Sequence, residues 1–67
     1  MTPLEEVRVI RLQLGWSMQK LADAIGVQRV TLHKAIERGH ANDVTTYRVE
    51  EALPKLRRRV ARQRRAA

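Results

Sequence analysis

The chain is predicted to be all-α, a small bundle of four to five short helices around one core. Three observations predict it. Apolar residues recur three and four apart along most of the chain. The stretches that carry them open on residues that cap helices (Thr2, Ser17) and close on glycine (Gly15, Gly26, Gly39). No Asn-Gly or Asp-Gly pair is present to signal a two-residue β-hairpin.

Each helix follows from local chemistry. Thr2 is placed to cap the first, with Pro3 at its first position and Glu5 closing a capping box. Leu4, Val7, Ile10, Leu12 and Leu14 supply its apolar face, and Gly15 stops it, so it runs over about residues 3–14. Ser17 caps the second helix, residues 18–25. Trp16 and Leu21 stand on either side of that cap at the spacing of a hydrophobic staple, so Trp16 reads as a core residue rather than a base-stacking one. The third helix starts near Gln28 or Arg29 and ends before Gly39. After a polar loop, residues 40–43, Thr45 or Thr46 is placed to cap a fourth helix carrying Tyr47, Val49, Ala52 and Leu53. Pro54 is expected to break or kink it, because its nitrogen cannot bond the Glu50 carbonyl. Beyond Pro54 a further helix with Leu56 and Val60 on one face is expected to fray among the arginines. The expected division is therefore a helical domain over residues 1–53 and a basic helix or tail over 54–67.

Sixty-seven residues allow one domain, and a core of that size gains from a dimer partner or very regular helix packing. There is no cysteine, hence no disulfide and no thiolate metal ligand. No apolar run approaches membrane-spanning length and the N-terminus lacks a signal-peptide layout, so a cytoplasmic protein is expected. The net charge is +7, and its position matters more than its size. All seven acidic residues lie before Pro54, where seven basic residues balance them; the other seven basic residues fall in 55–67. A cationic block of this kind suits a polyanion, most commonly nucleic acid, or is simply a solvated tail.

Residues 21–39, LADAIGVQRVTLHKAIERG, are the most informative stretch. Ala22 lies four positions before Gly26, with apolar residues at Leu21, Ile25, Val27, Leu32 and Ile36. This is the pattern of two helices meeting across a tight turn: a small residue where they cross and a glycine that ends the first helix in a left-handed conformation. Such a pair presents its second helix at an angle that fits the DNA major groove.

Residues 26–39, GVQRVTLHKAIERG, resemble the helix-turn-helix of the lambda Cro-like phage repressors, including the Lys34-Ala35-Ile36 run and Gly39. Residues 11–26, RLQLGWSMQKLADAIG, look like the first two helices of repressors in the same superfamily. The resemblance covers about residues 4–40. Many relatives begin the second helix with a phosphate-contacting Gln, where this chain has Met18 followed by Gln19. Lambda Cro itself continues into β-strands that build its dimer, whereas residues 44–59 here, VTTYRVEEALPKLRRR, read as helix, as in the all-helical Cro-like proteins.

The resemblance implies a sequence-specific transcriptional repressor, a dimer bound to a palindromic double-stranded operator, with the third helix in the major groove. Aligned to the family, its outward residues are Gln28, Arg29, Val30, His33 and Lys34. Gln28 suits adenine or caps the helix; Arg29 suits guanine; Val30 can pack on a thymine methyl; Lys34 and His33 can reach base edges or phosphate. Arg29 and Lys34 can equally be solvated surface charges. Expected backbone contacts are Ser17, Gln19, Thr31, Arg38, His40, Arg57 and Arg58, although a mid-helix threonine also bonds its own backbone. Dimer contacts are expected among Val44, Tyr47, Val49, Leu53 and Leu56, taken to lie outside a three-helix core.

No enzyme, metal site, cofactor or small-molecule substrate is indicated. His33 and His40 are seven apart rather than four, Ser17 is explained as a cap, and no phosphate-binding glycine loop is present. Two other functions use the same features. One is a protein-binding regulator of the antitoxin or polymerase-binding type, acting through an apolar C-terminal face. The other is non-specific binding of nucleic acid by the arginine tail, for which Trp16 and Tyr47 are few stacking residues.

Overall fold

The local cap and stop signals place the first three helices where the sequence predicts them. A computed structural model, described here over residues 1–66, has α1 at Pro3–Leu14, α2 at Met18–Ile25, α3 at Arg29–Arg38 and α4 at Asp43–Ala66. The described residues are all-helical, without strands. The Thr2 side chain accepts the Glu5 N–H at 3.2 Å, and Ser17 accepts the Lys20 N–H at 3.1 Å. The expected capping box is half made, since among the described residues no return bond from the Glu5 carboxylate forms. Gly15 closes α1 and Gly26 closes α2 in left-handed conformations, φ 70° and 90°, that residues with a Cβ seldom adopt.

One core joins all four helices. Leu4, Val7 and Ile10 of α1, Leu21, Ala22 and Ile25 of α2, and Leu32 and Ala35 of α3 are buried with Val49, Leu53 and Leu56 of α4. Ile36 is half-buried against this cluster, so α3 turns Leu32 and Ala35 to the centre more fully than Leu32 and Ile36. Leu12 does not join the α1 apolar face and is 61% exposed. At 100° per residue it lies well away from Val7, Ile10 and Leu14 around the helix.

The fourth helix departs most from expectation. It begins at Asp43, capped by Asn42, whose side-chain oxygen accepts the Thr45 N–H at 2.8 Å and whose carbonyl accepts the Thr46 N–H at 2.9 Å. Thr45 and Thr46 are thus first-turn residues rather than caps, and Thr45 is buried. The Asn42 amide oxygen satisfies an orphan N–H one turn earlier than a threonine cap would, so the helix begins at Asp43. The helix then passes Pro54 without breaking and continues through the arginines to Ala66. Pro54 lies on the exposed side, as does Glu50, so water can bond the carbonyl that the proline leaves without a donor. Burial of Leu56 and packing of Val60 beyond the proline offset its cost, which is about 3 kcal/mol in a helix interior. Ala67, the last residue of the expected tail, lies outside the described residues.

Twenty-four residues at 1.5 Å make α4 about 36 Å long, matching the 35 Å long dimension of the molecule. It spans the whole domain. Its first turns meet α2 and α3 near Gly26 and Thr31, and its second half lies along α1. There Arg57 grips the Glu6 carboxylate with two bonds, Nε at 2.6 Å and Nη2 at 2.8 Å, and the Gln63 amide donates to the Gln13 carbonyl at 3.1 Å.

The Glu6–Arg57 bond sets a pH response. Hydrogen bonding from Arg57 holds the Glu6 carboxyl below its ordinary value. A lowered folded pKa means that the unfolded chain binds more protons, so this contribution is present above the unfolded pKa and is lost as pH falls through the folded one. Glu6→Gln is therefore expected to lower the melting temperature at neutral pH modestly and to flatten its fall on acidification, read by thermal melts across the acid range. No helix among the described residues is long and apolar enough to cross a membrane.

Candidate nucleic-acid interface

The α2–α3 turn is built by three residues. The Gly26 N–H bonds the Ala22 carbonyl at 2.8 Å, and the Val27 N–H bonds the same carbonyl at 3.1 Å. Ala22 has no exposed surface, as a residue at a helix crossing requires. Gln28 then occupies the position before α3 with extended backbone, yet its side chain makes no capping bond. The amide is left exposed at the N-terminal end of the helix.

Burial of Leu32 and Ala35 fixes the rotation of α3 about its axis. At 100° per residue, Val30, His33, Lys34 and Glu37 occupy the opposite side, and Arg29 lies on the flank, about 60° round from Leu32. All five are exposed, and Val30 is half-exposed with no apolar neighbour set that buries it. Of the five expected base-contact residues, Val30, His33 and Lys34 therefore share the outward side, with Arg29 exposed at its edge and Gln28 exposed at the N-terminal end of the helix. His33 Nε2 lies 3.2 Å from the Glu37 carboxylate one turn on, so a DNA contact by His33 competes with this pairing.

The expected backbone contacts divide into three groups. Ser17 uses its oxygen as the α2 cap, and the Gln19 amide donates to Asp23 at 2.9 Å, though both residues remain exposed. Thr31 is half-buried and lines a shallow depression between α3 and α4 with Lys34, Arg38 and His40 at its edge. Arg58 is exposed on α4. The Arg57 guanidinium pairs with Glu6 and ties α4 to α1, so a phosphate contact by Arg57 competes with this pairing.

Three expected dimer contacts are corrected. Val49, Leu53 and Leu56 are 0%, 4% and 3% exposed, because α4 is part of the domain's own core rather than an appendage to three helices. Val44 and Tyr47 are exposed as expected of surface residues.

Tertiary structure adds Lys20 and Arg48 to the expected cations and gives Arg59, of the basic segment, a particular place. The Lys20 ammonium lies 5.0 Å from the centre of the Trp16 ring, and the Arg59 guanidinium lies 5.4 Å from it. Trp16 is half-buried against the core and engaged by both cations, in keeping with a packing role. Lys20 and Arg59 are thereby held beside the N-terminus of α2, where free N–H groups favour anions. The spacing of four between Trp16 and Lys20 was a visible signal; nothing local linked Trp16 to Arg59. Arg48 is a further addition. Its guanidinium lies at the α2–α3 turn, 3.5 Å from where a side chain on Gly26 would begin. The basic segment that contributes Arg59 starts about 20 Å along α4 from the end that meets α3.

Compared with protein-family models, curated proteins and solved structures, the chain has no match.

Proposed function

We propose that this chain is a sequence-specific, double-stranded DNA-binding transcriptional repressor of the Cro-like phage type. It acts in the cytoplasm as a dimer on a palindromic operator, with α3 in the major groove. The observation that carries this reading is the exposed surface of α3, which presents Val30, His33 and Lys34 opposite the side locked by Leu32 and Ala35, with Arg29 at its edge and Gln28 at its N-terminal end. An amide, a guanidinium, a methyl-bearing side chain and an ammonium are the groups that read base edges in the major groove. Lys20, Arg48 and Arg59 supply cations for the flanking phosphates, with the α2 N-terminus beside the first and last of them. Two recognition helices about 34 Å apart would meet successive major grooves on one face of the duplex.

The test is binding to DNA from the region upstream of the coding sequence, against shuffled DNA of the same composition, at low and moderate salt. A preference of several kcal/mol for the native DNA that persists in moderate salt is expected. Equal binding to both, lost as salt rises, would overturn the reading in favour of the arginine segment alone. No DNA binding at all would favour a protein partner.

A further inference from the structure

The outer face of α4 is segregated by charge. The residues opposite its buried side follow at helical spacing: Val44, Tyr47 and Glu51 in the first half, then Arg58, Arg62 and Arg65 in the second, all exposed. Val44 and Tyr47 are 67% and 64% exposed, two of the few large apolar side chains left open to solvent. Among the described residues, neither Glu51 nor the three arginines form an ion pair within the chain. One half of the helix thus offers an acid and an aromatic ring, and the other offers unpaired cations.

We propose that a second copy of this chain docks on this face, α4 against α4 and antiparallel, with a two-fold axis between residues 54 and 55. In that register each residue faces the one whose number brings the pair symmetrically about the axis. Glu51 meets Arg58 of the second copy, Tyr47 meets its Arg62, and Val44 meets its Arg65. Each contact occurs twice, as two-fold symmetry requires. The first is a charge-assisted pair, the second puts a guanidinium over an aromatic face, and the third covers an aliphatic side chain with an arginine stem. A parallel pairing would instead set the arginines of one copy against those of the other, and like charges at that distance repel. The antiparallel register brings Lys55 close to its own copy at the axis but keeps the three arginines apart, so charge favours it over the parallel one. The pairing deepens the reading of a dimeric operator-binding protein, but it needs no DNA, so it is tested without any.

Sedimentation equilibrium of the chain in low salt, from low to high micromolar concentration, is expected to show a species of twice the 7.8 kDa chain. Glu51→Arg and Arg58→Glu are each expected to leave a monomer over the same range, with unchanged helical circular dichroism because both sites are exposed. The double variant Glu51→Arg, Arg58→Glu is expected to restore the dimer. Within one chain these residues are two turns, about 10 Å, apart, so restoration reports a contact between copies. A wild-type chain that stays monomeric, a dimer indifferent to both reversals, or a double variant that fails to recover would each overturn the proposal. Specific DNA binding by α3 can survive any of these results, and its absence would leave the dimer test unaffected.

Discussion

Truncation after Pro54 is expected to unfold the domain rather than to remove a dispensable basic tail. Leu56 is 3% exposed and Val60 packs on the same core, so the segment after the proline fills part of the hydrophobic centre. It also carries both side-chain ties to α1, Arg57 to Glu6 and Gln63 to the Gln13 carbonyl. A domain of this size holds roughly 0.05–0.15 kcal/mol of stability per residue, a total of about 3–10 kcal/mol. A leucine-to-alanine change in a core typically costs about 2–5 kcal/mol. Leu56→Ala alone should therefore remove a large part of the total, and the truncation more than that. Urea unfolding followed by circular dichroism distinguishes the cases. A truncated chain that keeps its remaining helices and the wild-type midpoint would show that Leu56 contributes little. Because deletion disturbs the fold, the contribution of the arginines to nucleic-acid affinity is better measured with Arg62→Gln and Arg64→Gln, both at exposed positions.

The second large effect is expected at α3. Arg29→Ala and Lys34→Ala should each reduce discrimination between the native site and shuffled DNA by about 1–3 kcal/mol, the range for a good contact to a base edge. Both side chains are exposed and make no bond within the protein among the described residues, so their melting temperatures should stay close to wild type. Lys20→Ala should behave differently. It should weaken native and shuffled DNA about equally and reduce the salt dependence by roughly one counterion, the signature of a phosphate contact. Competition binding at several salt concentrations reads both quantities. If Arg29→Ala and Lys34→Ala keep full discrimination while folded, α3 does not read sequence and the proposed function fails.

Much of α1 to α3 was legible because the signals there are local. A threonine or serine that accepts the N–H three residues on, and a glycine that takes a left-handed conformation, act within one helical turn. The five exposed residues of α3 were legible through the family resemblance, and for Val30, His33 and Lys34 helical geometry gives the same answer once Leu32 is identified as buried. The same logic failed for Leu12, where apolar character was taken for burial although the residue faces away from the core.

The fourth helix was less legible, and each error has a non-local cause. Pro54 carries a local penalty that reads as a stop, but Leu56 and Val60 recover more by packing against helices far away in sequence. Val49, Leu53 and Leu56 looked like a spare apolar face, which they would be if three helices sufficed for the core. Arg57 looked like one more cation of the tail until Glu6, on the first helix, was brought to it. The pairing of Arg59 with Trp16 likewise joins residues that only folding makes neighbours.

The sequence by itself determined the helical class, the ends of the first three helices and the outward chemistry of α3, because caps, glycine turns and helical periodicity operate over three or four residues. Only the tertiary structure decided that α4 runs unbroken along the whole domain, which apolar residues it buries, and which cations remain free. Those outcomes depend on the burial of surface and the pairing of charge between distant segments, and both are settled only when the chain has closed on itself.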